Sequence, residues 1–246
     1  MTTPKLHHFL PQTIQKEFSK DRKTIFRYDK SKKVWEKVGI KGNAAISHHN
    51  TVYDEAGNKN TTLETALAEI DGKYISLLRH IEQKKPLQEM KNYIESLLAF
   101  SYSRSPKQRK NMTRIANELL THFQNFGMQD DSNPNRIKNQ TILGSLAETD
   151  VYGMVMHNSY FWVAEANGAN KFFTSDNPCG SSSMPLAPNF TIASSSETRN
   201  PEYVIVPEKI VQMFNQLVFK NAEQYIYAGE EIQMTEYEED KHILRV

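Results

Sequence analysis

The sequence predicts a helix-dominated α+β protein, in which a central block of helices is flanked by an N-terminal hairpin and by C-terminal antiparallel strands. Two observations predict this arrangement. Apolar residues recur at helical spacing through the middle of the chain, and short apolar or aromatic stretches bounded by turn residues lie on both sides. Because the strand-rich parts bracket the helices, we expect a single domain over residues 1–246, with a short acidic tail or an edge strand over residues 230–246.

The N-terminal part predicts a short helix followed by a β-hairpin. Pro11 suits the beginning of a helix, and Ile14 and Phe18, four residues apart, would share one face of it. Residues 24–39, TIFRYDKSKKVWEKVG, place apolar stretches on both sides of a polar run, which is typical of a hairpin. Residues 39–60 are rich in Gly and Asn and predict irregular structure.

The middle of the chain predicts four helices. In the first, the apolar residues from Leu63 to Ile81 follow the i, i+3, i+4 and i+7 spacing of one helical face, and Pro86 comes after it. The other three helices are predicted over residues 87–103, 105–127 and 136–158.

The C-terminal part predicts strands with one helix between them. SYFWVAEANGANKFFTSD favours a second hairpin, with strands at residues 160–165 and 171–175 around the turn NGAN. A polar loop follows, with a short strand at residues 190–193. YVIV predicts a strand, Pro207 opens a helix that ends at Asn221, and EQYIYAG predicts a further strand.

Composition and missing motifs exclude several classes of protein. A net charge of +1 argues against a strongly basic nucleic-acid coat, although it allows a local basic patch. The single cysteine, Cys179, excludes an internal disulfide framework and a Cys-rich zinc site. No apolar run has the length of a signal peptide or a membrane span, so we expect a cytoplasmic protein. GxGxxG, Walker A, HExxH, GxSxG and CxxC motifs are absent.

Several stretches of the chain occur together in a recognisable order. They are HFLPQTIQKEF at residues 8–18, LETALAEID at residues 63–71 with SRSP at residues 103–106, and FFTSDNP at residues 172–178 followed by MPLAP. In order and spacing they resemble the uncharacterised family known as domain of unknown function 4238, over residues 7 to about 227. The resemblance implies a bacterial or phage-related intracellular protein with a shared site, but it implies no reaction.

The resemblance also selects candidate site residues. The positions that match its patterns are His8 (rather than His7), Glu64, Arg104, Asp176 and Asn177. Asp71 stands where a Glu is usual, so the reach of that acid is shorter in this chain. Ser101 stands where a Gln is often found three residues before the arginine, which puts any role for that position in doubt.

Two of these candidates are acids on one predicted helix. Glu64 and Asp71 are seven residues apart, so they would lie on one face and about 10.5 Å apart along the axis. That spacing lets them line one wall of a groove, although they would not share a metal ion directly without a bend. The alternative is a solvated helix face, with Glu64 stabilised by the positive end of the helix dipole.

The two basic candidates, Arg104 and His8, can each be interpreted in two ways. Arg104, just before the helix that Pro106 opens, can form a bidentate pair with a substrate phosphate or with a carboxylate that ties two helices together. His8 can bind a metal or act as a base near pH 7, or it can be a packed or surface histidine. His48 and His49 fall outside the matched patterns, and we expect them on the surface.

The stretch SDNP ends a predicted strand with an acid and an amide before a proline. Asp176 and Asn177 would form a stable turn there, because their side chains bind nearby backbone N–H groups and proline fixes φ. The same arrangement can present Asp176 rigidly at a site. Cys179 follows two residues after Asn177, and no partner in the sequence marks it as a nucleophile.

Together these residues favour an intracellular hydrolase that acts on a phosphate-containing substrate such as nucleic acid or a nucleotide, either with or without a bound metal ion. Its catalytic residues would be His8, Arg104, Asp176 and Asn177. The ligands of a divalent metal, Mg²⁺ or Mn²⁺, would be Glu64, Asp71 and Asp176.

A hypothesis of another class is a non-catalytic binding module, such as a phage-encoded inhibitor or a defence-associated sensor. In that case the same polar residues would form an internal salt-bridge network, and a protein partner would bind the acidic segment from Glu236 to Asp240. The two hypotheses differ in whether the polar cluster is accessible to solvent, since a buried, fully paired cluster with no cleft favours the binding module.

Overall fold

The computed structural model describes residues 6–54, 56–60, 62–125, 134–157, 159–179, 183–198 and 200–238. Its helices are α1 Gln12–Glu17, α2 Thr62–Gly72, α3 Tyr74–Glu82, α4 Lys91–Ser103, α5 Pro106–Asn125, α6 Pro134–His157, α7 Glu208–Asn221 and α8 Thr235–Glu238, with a 3₁₀ helix at Leu87–Met90. Its strands are β1 Leu6–His8, β2 Thr24–Asp29, β3 Val34–Gly39, β4 Ala45–Ser47, β5 Val52–Tyr53, β6 Lys59–Asn60, β7 Tyr160–Ala166, β8 Thr174–Ser175, β9 Ser183–Ala187, β10 Phe190–Ser195, β11 Tyr203–Val206 and β12 Tyr225–Ala228. The prediction of a helix-dominated α+β protein is confirmed.

The first sheet joins the two ends of the chain. β2 and β3 form the predicted antiparallel hairpin, and β12 pairs with the free side of β2, so that Ile226 lies opposite Tyr28. β8 follows β12, which gives the order β3-β2-β12-β8. A strand close to the C-terminus therefore completes a sheet that the N-terminal hairpin begins, as a single domain would require. The single-domain boundaries themselves stay a prediction.

The second predicted hairpin is wrong. β7 pairs antiparallel with β10 and parallel with β11 in one sheet, whereas β8 belongs to the other sheet. The cause is a buried side chain: Asn215 of α7 accepts a hydrogen bond from Phe173 N and donates one to Lys171 O, at 3.1 and 2.9 Å. Asn215 thus satisfies backbone groups that a hairpin partner would have used, and residues 171–173 cross from one sheet to the other.

The first predicted helix is two helices. α2 ends at Gly72 and α3 begins at Tyr74, with Lys73 between them. Glycine is a poor helix former, and Lys73 N donates to Ile70 O at 3.2 Å, which is the shorter i to i−3 pattern. The break matters because it ends α2 just after Asp71. The apolar residues of α3 still face the core as predicted, and Tyr74, Leu77 and Ile81 are fully buried.

The acidic tail begins as a short helix rather than an edge strand. Glu238, the last residue of α8, binds Lys33 Nζ at 2.7 Å and the hydroxyl of Tyr28, both in the first hairpin. The acids at positions 239 and 240 lie outside the described residues. Within the described part of the chain, no helix has the length and apolar character needed to cross a bilayer.

Candidate functional site

The six candidate site residues lie in two groups. His8 belongs with Glu64, Asp71 and Arg104, because the charges of these three side chains all affect its pKa. Asp176 and Asn177 instead bind the segment that links α7 to β12. The spacing argument for the two acids of α2 agrees with the first group, since both act on the same imidazole.

β1 presents His8 at the solvent side of the first group. His8 lies opposite Ala45 of β4, and its ring is half-buried. Gln12 Nε2 donates a hydrogen bond to His8 Nε2 over 3.1 Å, because an amide NH₂ group can only donate. Burial lowers the pKa of His8 from its ordinary value and outweighs the nearby acids, which raise it. The imidazole is therefore neutral at pH 7.

The two acids of α2 form the carboxylate edge of the group. Glu64 Oε2 accepts a hydrogen bond from Asn50 Nδ2 at 2.8 Å and lies 3.5 Å from His7 Nδ1. Asp71, seven residues later, binds Arg104. The side chains of Glu64 and Asp71 are 24% and 22% exposed, so this edge reaches solvent.

Arg104 forms a bidentate pair with Asp71. It is the C-cap residue of α4, and it is 1% exposed. Its Nη1 and Nη2 donate to the two carboxylate oxygens of Asp71 at 3.0 and 2.9 Å. These contacts match the interpretation in which Arg104 ties two helices together. Within the described residues, Arg104 Nε and the hydroxyl of Ser101 are buried without a hydrogen-bond partner.

Asn50 connects this group to two further buried residues. Its main-chain N–H donates to His7 Nδ1 at 3.0 Å, and its Oδ1 accepts from Arg109 Nη2 at 3.3 Å. His48 has a left-handed backbone (φ 56°), which turns the chain after β4 and brings Asn50 back to β1. We use the name His8 cluster for the residues that these contacts join and the residues whose charges act on His8: His7, His8, Asn50, Glu64, Asp71, Arg104 and Arg109.

Arg109 is the member that the protein itself satisfies least. It lies in the first turns of α5 and is 7% exposed. Its Nε and Nη1 have no hydrogen-bond partner within the described part of the chain. Burial lowers the pKa of Arg109 to about 10, so the guanidinium still carries its charge at pH 7.

His49 is not on the surface, contrary to our expectation. The residue is only partly exposed, and its Nε2 donates to the main-chain carbonyl of Arg104 over 2.9 Å. Burial, followed by the charge of Arg109, lowers the pKa of His49 to about 4. His49 is therefore a neutral neighbour of the His8 cluster that ties the loop after β4 to the corner between α4 and α5.

Asp176 holds a turn together. Its Oδ1 accepts from Glu223 N at 2.9 Å, and its Oδ2 accepts from Gln224 N and Tyr225 N at 2.7 and 2.9 Å. Burial raises the pKa of Asp176, while these three N–H groups and the charge of Lys30 oppose the rise. Both oxygens are thus committed to the backbone that leads from α7 into β12.

The residues that follow Asp176 are also packed. Asn177 Nδ2 donates to Asn221 O at 3.0 Å, which adds a second link to the end of α7. The thiol of Cys179 donates to Leu98 O at 3.4 Å, and burial raises its pKa to about 12. Cys179 is therefore a neutral thiol at pH 7, which is the unreactive form of cysteine.

The three acids assigned to a metal ion do not fit one site as they are placed. Asp71 uses both oxygens on Arg104, and Asp176 uses both on backbone N–H groups far along the chain. Among the described residues, no group of three or more His, Cys, Asp or Glu side chains is arranged to hold a metal ion. Glu64 differs from the other two acids, because its hydrogen bond to Asn50 and its approach to His7 both use the same oxygen, Oε2.

Sequence reasoning missed Arg109, Asn50 and His49. Arg109 is five residues after Arg104 within the run SRSPKQRKN, where it reads as one more charge of a solvated helix face. Asn50 and His49 lie in a segment without periodicity, and their contacts depend on the turn at His48. No local pattern in the sequence could have indicated these contacts.

Comparison with known proteins gives a family and nothing more specific. The family model described as "Protein of unknown function (DUF4238)" matches residues 6–231 of the 246-residue chain. No curated protein and no solved structure matches the chain.

Proposed function

The chain belongs to the family "Protein of unknown function (DUF4238)", and for this member we propose an intracellular hydrolase that acts on a phosphate-containing substrate, a nucleotide or a nucleic acid. One observation carries the proposal. A neutral, half-buried imidazole, that of His8, is close enough to two partly exposed carboxylates for their charges to raise its pKa, and two buried guanidinium groups belong to the same cluster. The buried thiol of Cys179 fits a reducing compartment.

His8 acts as the general base in this proposal. Its Nε2 lone pair takes a proton from the attacking water once that water replaces Gln12 as the group bound there. The water oxygen forms a bond to phosphorus, the P–O bond to the leaving group breaks, and solvent returns a proton to the leaving oxygen. Glu64 and Asp71 stabilise the imidazolium that forms, because both raise the pKa of His8.

Positive charge in the His8 cluster supports a phosphate-containing substrate over a neutral one. The charge of Arg104 is neutralised by Asp71, so Arg104 mainly positions that acid. Arg109 keeps its charge and has no carboxylate partner among the described residues. A buried cation of this kind stabilises the charge that develops on phosphoryl oxygens during attack by water.

The binding of a divalent metal ion at this site stays a prediction. The proposed reaction uses only residues of this chain, since Asp71 and Asp176, two of the three acids assigned to Mg²⁺ or Mn²⁺, already bind other groups. The test is to measure the rate of hydrolysis with added Mg²⁺ or Mn²⁺ and with EDTA, which shows whether the reaction depends on a metal ion. Loss of activity in EDTA would mean that substrate brings the metal with it or that the carboxylates rearrange.

The first prediction concerns His8. Substitution His8→Gln should lower the rate of hydrolysis by about 100-fold or more, because it removes the base and keeps the side chain polar. The rates are measured on bis-p-nitrophenyl phosphate, nucleotides, and single-stranded and double-stranded nucleic acid. For the wild type, activity should fall as pH decreases through the pKa of His8. That pKa lies below 6.5, so activity should stay high at pH 7.

The control for this prediction is His157→Gln. His157 has a side chain that is 72% exposed and lies at the end of α6, so its loss should leave the rate unchanged. Equal rates for wild type and His8→Gln on every substrate that is cleaved would refute the role of His8. A wild-type protein that cleaves none of the substrates would count against a hydrolase.

A second candidate function is the non-catalytic binding module. The bidentate pair between Arg104 and Asp71 favours it, because a buried pair of this kind is what an internal salt-bridge network would contain. In that case His8→Gln changes the affinity for a partner or changes nothing, and no phosphoester is cleaved. Arg109 favours the hydrolase, since this buried cation, unlike Arg104, has no carboxylate partner among the described residues.

A further inference from the structure

We propose that Arg109 is the anion-binding residue of the His8 cluster and that it binds a phosphate group through the guanidinium nitrogens that the protein leaves unpaired. The proposal rests on the proposed function for its choice of phosphate, and it names the group that recognises this substrate. No sequence motif distinguishes Arg109 from the other charged residues at the beginning of α5.

The hydrogen bonds of Arg109 leave most of its donors unused. A guanidinium carries five N–H donors, and the one bond to the protein runs from Nη2 to Asn50 Oδ1 at 3.3 Å. Nε and Nη1 are buried without an acceptor among the described residues. Arg104, in the same cluster, gives both terminal nitrogens to Asp71. Both arginines are buried, at 1% and 7% exposed, and they differ in that Arg109 has no carboxylate acceptor among the described residues.

The charges around Arg109 call for an anion. Burial alone lowers the pKa of Arg109, and no carboxylate counters that effect among the described residues. Its neighbour His49 is neutral, and the charges of both Arg109 and Lys138 lower the pKa of His49. Buried charges in proteins are paired or bind an ion, so a bound oxyanion would supply the acceptor and the negative charge together.

The position of Arg109 relates this subsite to His8. Asn50 bridges Arg109 and Glu64, and Glu64 is one of the two acids that act on His8. Thr51, next to Asn50, has a buried hydroxyl without a partner among the described residues, which offers one further donor. Arg109 also lies in the first turns of a 20-residue helix, whose positive end favours anions. A phosphate on Arg109 would therefore lie next to Asn50, the residue that also binds the carboxylate of Glu64.

The test measures binding of inorganic phosphate to the full chain by titration calorimetry, with chloride used to keep ionic strength constant. The variant is Arg109→Met, which keeps most of the volume and removes the charge. The matched control is Arg114→Met on the same helix, where the side chain is 64% exposed and pairs with Glu118. Thermal unfolding of each protein is recorded with and without phosphate.

We expect saturable binding by the wild type and by Arg114→Met, and binding weakened about tenfold or more in Arg109→Met. Phosphate should raise the Tm of the first two proteins and not of the third. Without phosphate, Arg109→Met should be as stable as the wild type or more stable, because it removes an unpaired buried charge. A structural arginine would give the opposite result, with a lower Tm in Arg109→Met and no response of the wild type to phosphate.

If Arg109→Met does not fold, Arg109→Lys provides the same comparison. Lysine keeps the charge but loses the planar set of donors, so phosphate binding should weaken while the Tm without phosphate stays close to that of the wild type. Equal phosphate binding by Arg109→Lys and wild type would overturn the proposal. Because binding is measured without turnover, His8→Gln should still bind phosphate. If it does and no protein hydrolyses any substrate, the reaction is wrong and the subsite stands.

Discussion

Asp176 shows how completely a single carboxylate can be used by the fold. It accepts three backbone N–H groups from residues 223–225, and it is 2% exposed. These residues are where α7 ends and β12 begins. The side chain therefore fixes the path of the chain into the strand that joins the N-terminal hairpin to β8.

The second prediction follows from these contacts. Asp176→Ala should lower the free energy of unfolding by about 3 kcal/mol or more, since three N–H groups lose their acceptor at a cost of about 1 kcal/mol or more each. The measurement is urea unfolding at pH 7. Asp54→Ala is the control, because Asp54 also accepts a backbone N–H but is exposed. Asp54→Ala should change stability by less than about 1 kcal/mol.

A different result would make Asp176 a candidate site residue again. If Asp176→Ala unfolds at the same urea concentration as the wild type but loses hydrolysis, the carboxylate acts on substrate and the turn does not need it. The sequence supported both interpretations of this residue, because an acid before Asn-Pro suits a turn and a site equally well. The two interpretations are distinguished only by residues 223–225, which lie nearly 50 residues further along the chain and whose N–H groups bind Asp176.

At the scale of elements, one ion pair connects the end of α2 to the corner between α4 and α5. Asp71 is the last residue but one of α2, and Arg104 follows the last residue of α4. The break after Gly72 lets α2 end at this corner instead of continuing along α3. Arg104 is almost fully buried, so its charge depends on Asp71 for compensation.

The third prediction tests this connection. Asp71→Asn should lower the free energy of unfolding by about 3 kcal/mol, or roughly 6–12 °C in Tm, because it leaves a buried arginine without a counter-charge. Asp71→Glu keeps the charge, and glutamate is the residue that the family resemblance makes usual at this position, so it should lose clearly less stability. Calorimetric melting of the three proteins at pH 7 is the measurement. Equal Tm values for Asp71→Asn and the wild type would mean that the pair contributes nothing.

The elements themselves were predictable where one local signal decides them. The first hairpin and α3 to α7 follow from alternation, helical spacing and prolines, and the structure confirms them. The second hairpin failed because a buried amide on α7, that of Asn215, binds the backbone of residues 171–173. An interaction over more than 40 residues leaves no periodic trace in the sequence.

At the scale of the whole molecule, the fold brings distant segments to one place. The first sheet joins strands near both ends of the chain, with the helical block between them in sequence. The His8 cluster then takes its members from β1, from the loop after β4, from α2 and from the α4–α5 corner. Four of the six candidate residues belong to this cluster, whereas Asp176 and Asn177 bind the backbone at the end of α7 and the segment after it.

The sequence could indicate which residues of the His8 cluster were acids and bases, but not which of them lacked partners. Pairing depends on the left-handed turn at His48, which brings Asn50 between Glu64 and Arg109. That turn satisfies one nitrogen of Arg109 and leaves two others buried. The unpaired nitrogens to which we assign a phosphate group are therefore a result of tertiary contacts, which the sequence alone does not indicate.

The most direct test of that claim is a crystal structure of the protein soaked with tungstate, a tetrahedral oxyanion with strong anomalous scattering. We predict an anomalous peak within hydrogen-bonding distance of Arg109 Nε or Nη1. The peak should be absent from crystals of Arg109→Met grown and soaked in the same way. Peaks only at exposed lysines, with none at Arg109, would contradict the account.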